Sequence, residues 1–116
     1  MSTDNWVPGV PIYTQIRQQV ENRLLDGSLS DGDALPSVRE MAAQMQVNPL
    51  TVLRAYQELQ DAGLVEKQRG IGLRVAKGAS EQLCRSERKR FLEEQWPRIQ
   101  ERLRLLGLGP SDLGLG

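Results

Sequence analysis

Residues 36–56 read Pro36-Ser37-Val38-Arg39-Glu40-Met41-Ala42-Ala43-Gln44-Met45-Gln46-Val47-Asn48-Pro49-Leu50-Thr51-Val52-Leu53-Arg54-Ala55-Tyr56. Two helix starts lie in this stretch. Ser37 and Glu40 stand at the spacing where each side chain satisfies the other's backbone N–H. Asn48 is a strong N-cap, and Pro49 suits a first helical position, where its missing N–H leaves nothing unpaired. The first of these helices, Val38 to about Met45, turns Val38, Met41, Ala42 and Met45 inward. The second carries Val52, Ala55, Tyr56 and Leu59 on its buried face and ends at Ala62-Gly63. Only the short turn Gln46-Val47 separates them, so a helix-turn-helix is predicted.

The flanks complete the pattern. Residues 1–10 read as an irregular arm, since Pro8, Gly9 and Pro11 break any helix. Ile12, Ile16, Val20 and Leu24 then recur every four residues, with Leu25 widening the stripe and Gly27 at the cap position. Ser28 to Leu35 reads as a loop. After Gly63, Leu64–Gln68 and Leu73–Val75 read as short strands joined by the tight turn Arg69-Gly70-Ile71-Gly72. Helix, helix, helix, hairpin is the order of a winged helix-turn-helix, a mainly α fold with a small β-hairpin. Lys77-Gly78-Ala79-Ser80 marks the end of that domain, so residues 1–77 form one unit and 78–116 a helical tail. In the tail, Leu92, Trp96, Ile99, Leu103 and Leu106 follow at spacings of 4, 3, 4 and 3, the seam of a helix that pairs with another. Pro97 predicts a kink or a restart there. Leu106-Gly107-Leu108-Gly109-Pro110 ends the helix, and the last residues are expected to fray.

Composition narrows the functions. The 116 residues carry 15 basic and 15 acidic side chains, so an unselective polycation is excluded. Residues 1–77 hold one more acidic than basic side chain. There is no histidine and one cysteine, Cys84, expected to be a buried or half-buried thiol. A metal site would have to be all oxygen plus one thiol, so the usual zinc sites and histidine-activated nucleophiles are out, and no catalytic residue, metal ligand or cofactor site is assigned. No stretch of about 18 apolar residues exists to span a membrane. The first residues lack the regions of a signal peptide, so the expected compartment is the cytoplasm.

A DNA-reading helix puts its first turns into the major groove. Asn48, Leu50, Thr51 and Arg54 lie there, on the side away from Val52, Ala55, Tyr56 and Leu59. Arg54 can donate two parallel bonds to guanine or clamp a phosphate, Thr51 can donate, accept or touch a thymine methyl, and Leu50 offers apolar contact. Arg39 lies beside a helix N-terminus, which favours phosphate. Its plainer role is a surface ion pair with Glu40 or Glu58. Arg69 and Gly70 form the hairpin tip, where glycine allows close approach and Arg69 or Lys67 can enter the minor groove. With so little net charge, one copy would bind DNA weakly. Two linked copies on a palindrome would bind far better.

These residues resemble the GntR family of bacterial transcriptional regulators. Pro11-Ile12-Tyr13-Thr14-Gln15-Ile16 looks like its opening helix, and Leu35 to Ala42 resembles its second-helix signature. Val47 to Tyr56 resembles its recognition helix, and Gly63-Leu64-Val65 with Arg69-Gly70-Ile71-Gly72 its wing. The match covers residues 11–75. It implies operator binding as a homodimer, a repressor's role, and DNA contacts at Ser37, Arg39, Asn48, Leu50, Thr51, Arg54, Arg69 and Gly70. The short tail is similar to the YtrA branch, whose tail serves dimerisation. That implies a homodimer through Leu92, Trp96, Ile99, Leu103 and Leu106. A small-molecule effector is a further partner the family allows, and no residue here points to one. Arg74 stands where the family's wing has an aromatic, which predicts looser packing of the wing.

A winged helix that binds protein rather than DNA is the alternative. It accounts better for the neutral charge. It leaves Arg39, Arg54 and Arg69-Gly70 unexplained. A small enzyme lacks any nucleophile–base pair or metal constellation.

Overall fold

Both predicted helix starts form in the computed structural model, which describes residues 6–116. Ser37 Oγ accepts from the Glu40 N–H at 3.1 Å, and the Ser37 N–H donates to Glu40 Oε1 at 3.3 Å. This box opens α2, Val38–Met45. Asn48 Oδ1 accepts from the Leu50 N–H at 2.9 Å and opens α3, Pro49–Asp61. Gln46 makes the tight joint between them. It adopts a left-handed backbone, φ 55 and ψ 48, and its N–H returns to Ala42 O. A side-chain-bearing residue in that region is strained by roughly 1–2 kcal/mol, which the packing of the two helices must offset.

The core follows from the helical stripes. The first helix, α1, Ile12–Leu25, buries Ile16, Val20 and Leu24 and packs against α3. Met41, Ala42 and Met45 of α2 and Val52, Ala55, Tyr56 and Leu59 of α3 close the same core. Each aliphatic side chain buried this way contributes roughly 1.5–3 kcal/mol. Leu25 does not widen the stripe. It is 43% exposed, and the inward position beside Ile16 goes to Gln15. Burying an amide is tolerable only when it is bonded. Gln15 Oε1 accepts from the Val7 N–H at 2.7 Å, while its Nε2 donates to Val7 O and Val10 O at 3.0 and 2.9 Å. The described part of the expected arm is thus tied to α1, with Trp6 packed against the core. Residues 1–5 of that arm lie outside the described residues.

The hairpin pairs β1, Val65–Gln68, with β2, Gly72–Val75, in antiparallel register from Val65↔Val75 to Gln68↔Gly72. Val65 and Val75 are buried at its base, and the tip is exposed. Gly70 and Gly72, at φ 81 and 100, supply the left-handed turns that side chains resist. The loop before α2 adds a third rung. Gly32 N–H donates to Val75 O, Val75 N–H to Asp33 O and Leu35 N–H to Leu73 O, at 2.8–2.9 Å. Arg74 belongs to this rung. It pairs with Ala34 in a β-bridge, and its Nη1 donates to Gly32 O at 2.6 Å. Where looser packing was expected, Arg74 instead clamps the loop to the wing.

The first compact unit runs to Leu83, past the boundary expected after residue 77. The reason is α4, Ala79–Arg90, whose Ala79 and Leu83 join the core and whose Ser80 Oγ donates to Leu24 O at 2.8 Å. Leu83 takes the inward position, so Cys84, one residue on around the helix, is exposed rather than buried.

The second unit, Cys84–Gly116, holds the rest of α4, a π turn over Phe91–Gln95, and α5, Trp96–Leu106. Pro97 lies in the first turn of α5. The Trp96 N–H reaches back to Phe91 O, so the wide turn absorbs the irregularity at the proline and the helix restarts. Gly107, at φ 68, caps α5, and the Leu108 N–H donates to Leu103 O at 3.0 Å. The segment after α5 forms a turn. Gly109 N–H bonds Asp112 Oδ2 at 2.9 Å and Leu115 N–H bonds Pro110 O at 2.8 Å, closing a turn. No helix among the described residues is long and apolar enough to cross a membrane.

Candidate nucleic-acid interface

The outward face of α3 is what its core positions leave over. Asn48, Leu50, Leu53 and Arg54 are exposed and Thr51 is half-buried. Leu50 is 70% exposed. At the start of α2, Ser37 and Arg39 are exposed, and the first helical amides there have no intrahelical acceptor. Arg69 and Gly70 form the exposed tip of the wing, with Ile71 beside them at 50% exposure. The structure therefore gathers Ser37, Arg39, Asn48, Leu50, Thr51 and Arg54 on two helices packed together. Arg69 and Gly70 lie on a separate element, the end of the hairpin away from its buried base.

Tyr56 sets how the two helices meet. Its ring is buried, and its hydroxyl donates to Pro36 O at 2.8 Å, joining α3 to the residue before the α2 cap. Burial, and secondarily the charge of Glu40, push its phenol well above the ordinary tyrosine range. Tyr56→Phe is expected to cost about 1–2 kcal/mol, because Pro36 O loses its partner. The pH response follows from the sign of the shift. The folded phenol titrates above the unfolded value of about 10, so its contribution is whole below that pH and declines as pH rises past it. Urea denaturation at pH 9 and 11 is expected to show a steeper loss for the wild type than for Tyr56→Phe, by up to about 1.4 kcal/mol per pH unit.

The charge distribution is more selective than the near-zero sum suggests. Asp26 and Asp33 accept loop N–H groups of Ser28 and Ser30, and Asp31 accepts that of Gly78. The Ser28 bonds hold the Asp26 carboxyl below the usual carboxylate range. Arg39 is not the ion pair its neighbours suggested. Glu40 caps Ser37, and Glu58 pairs with Arg17 of α1 at 2.5 Å. Among the described residues, neither Arg39 nor Arg69 has a carboxylate partner. Arg54 stacks its guanidinium over the Tyr13 ring, 3.9 Å from the centroid. That stack and the exposed Leu53 and Ile71 were not among the expected site residues. Only the helical spacing of Leu53 from Leu50 could have pointed to one of them.

On the tail, Trp96, Ile99, Leu103 and Leu106 share α5 at helical spacing, and Leu92 lies on the π turn before it. Trp96, Ile99 and Leu106 are 37%, 39% and 55% exposed, and Leu103 is half-buried. Phe91, which the seam did not include, adds an exposed aromatic.

A helix-turn-helix with a β-wing and a helical tail is the architecture of a regulator class. Residues 12–75 match the family described as "Bacterial regulatory proteins, gntR family", and the chain belongs to it. It is similar to the uncharacterized HTH-type transcriptional regulator YhcF of Bacillus subtilis (strain 168), at 51% identity over 60% of this chain and 57% of that one. It is also similar to the HTH-type transcriptional repressor YtrA of the same organism, at 40% identity over 72% of this chain and 65% of that one. The chain thus spans under two-thirds of the length of these relatives. Among solved structures, a GntR family transcriptional regulator from Listeria monocytogenes superposes with a TM-score of 0.76 at 31% identity, over 93% of each chain.

Proposed function

We propose that the chain is a sequence-specific DNA-binding transcriptional regulator, a repressor acting in the cytoplasm, that binds a palindromic operator as a homodimer. The observation that carries this is that Arg39, at a helix N-terminus, and Arg69, at the wing tip, are exposed and, among the described residues, without a carboxylate partner. In a domain with no spare positive charge, cations left unpaired at these positions suit phosphate and groove contact. The first turns of α3 enter the major groove with Asn48, Leu50, Thr51 and Arg54. Leu50 meets a thymine methyl, which gives an exposed leucine a purpose. Ser37, Arg39 and the α2 amides take a phosphate. Arg69 enters the neighbouring minor groove, where Gly70 lets the backbone approach closely. The repressor's role is supported by the similarity to the YtrA repressor.

The tail supports two copies. No side chain of α5 or of the π turn is buried. A free helix of this length is marginal in water, so its stability has to come from packing its apolar stripe. A second copy covering Leu92, Trp96, Ile99, Leu103 and Leu106 supplies that packing, and with it the valency that weak single-domain binding needs.

The test is selection of binding sequences from a pool of randomised duplexes by the full chain. Enrichment of a two-fold symmetric site, with half-sites about 10 base pairs apart or a multiple of that, is expected. A pool that stays random through successive rounds would contradict the proposal and leave protein contact as the use of this surface.

A further inference from the structure

We propose that Tyr13 is a positioning residue for Arg54, holding its guanidinium over the ring and clear of carboxylates before DNA arrives. This deepens the DNA-binding reading and rests on it. Arg54 and Glu58 stand one helical turn apart on α3, the spacing at which an arginine ordinarily pairs with a carboxylate. That pair is not made. Glu58 is held by Arg17 of α1 at 2.5 Å, and Arg17 also reaches Glu21 at 3.5 Å. Arg54 lies instead over the face of Tyr13, 3.9 Å from the ring centroid. Tyr13 is half-buried and packed against the core, whereas Arg54 is exposed, so the ring is the fixed member of the stack.

The two alternatives differ in what they leave free. An ion pair with Glu58 would occupy guanidinium N–H groups and cancel the charge. Stacking on a ring face uses the π surface and leaves all five in-plane donors available. It also orders a long side chain in the free protein, so less freedom is lost when the donors meet a guanine edge or a phosphate. α1 thus acts on recognition twice: Arg17 keeps Glu58 off Arg54, and Tyr13 holds Arg54 in place.

The experiment measures binding of the full chain to the selected operator and to a scrambled duplex by fluorescence anisotropy. The variants are Tyr13→Phe, Tyr13→Leu, Arg54→Ala and the double variant Tyr13→Leu with Arg54→Ala. Tyr13→Phe keeps the ring face and is expected to bind within about twofold of wild type. Tyr13→Leu is expected to lose about fivefold on the operator, with the scrambled duplex little changed. In the Arg54→Ala background the same change is expected to have no effect. Wild-type affinity in Tyr13→Leu, an equal loss in the Arg54→Ala background, or a loss in Tyr13→Phe matching that in Tyr13→Leu would each overturn the inference. A wild type that fails to prefer the operator would overturn the DNA-binding reading and this inference together. Should Tyr13→Leu not fold, the Arg54 δ-proton shifts of the free wild type decide: upfield ring-current shifts are expected, and random-coil values overturn it.

Discussion

Replacing Arg39 and Arg69 together by glutamate is expected to weaken operator binding by about a hundredfold or more. Each arginine is exposed and has no carboxylate partner among the described residues, so no described ion pair is lost with it. Thermal stability should therefore stay within about 0.5 kcal/mol of wild type. The loss falls on binding alone. Two DNA-facing cations per chain, Arg39 toward a phosphate and Arg69 toward the minor groove, become anions, so attraction is removed and repulsion added. Charge-neutral replacement of both by glutamine separates the two contributions. It is expected to weaken binding less and to flatten the dependence of log K on log salt by about two units for each chain bound, about four for the dimer. Titration of labelled duplex at several salt concentrations measures both quantities. Operator affinity unchanged by double charge reversal would mean that this face does not meet DNA.

Trp96→Ala combined with Ile99→Asp is expected to leave the chain monomeric at micromolar concentration. Both side chains belong to a stripe that nothing in α5 covers. Removing one large apolar group and placing a charge in the seam forfeits roughly 4 kcal/mol of apolar burial, about three orders of magnitude in the dimer constant. Operator binding should then fall by about 100- to 10,000-fold, because the second half-site is no longer engaged by a linked copy. Binding to an isolated half-site should change little. Sedimentation velocity checks the first expectation and anisotropy the second. A variant that sediments like wild type would remove the tail from the dimer interface.

The parts of this fold legible in the sequence are those set by local chemistry. The Ser37–Glu40 box, the Asn48-Pro49 start and the glycine turn at the wing each depend on residues within a few positions of one another, and each forms where it was expected. The core stripes of α2 and α3 are legible for the same reason, since helical periodicity alone decides which residues face inward. What escaped depends on long-range placement. The rung from Gly32 to Leu35 is a set of backbone bonds to β2, made by a segment whose composition reads as a loop. Burial of Gln15 depends on where Val7 and Val10 arrive. Arg74 reads as a misfit in an aromatic's place until Gly32 O is found opposite it. Cys84 was misjudged because the inward position on α4 falls one residue earlier, at Leu83.

The candidate site divides along the same line. Its positions on α3 are readable from the helical face that the core leaves open. The partners of its charged groups are not. The sequence offered Glu40 or Glu58 to Arg39. The packing of α1 on α3 gave Glu58 to Arg17 and Arg54 to Tyr13. With Glu40 capping Ser37, Arg39 is left without a carboxylate partner among the described residues and Arg54 lies over a ring, and no local pattern announces either.

The most direct test of the central claim is a titration of the wild-type chain onto the selected palindrome and onto a scrambled duplex of equal composition, followed by fluorescence anisotropy at 50 and 200 mM salt. The account predicts binding to the palindrome at least about a thousandfold tighter than to the scrambled duplex, two chains per site, and weakening on both duplexes as salt rises. Equal binding to the two duplexes, or binding to neither, would contradict it.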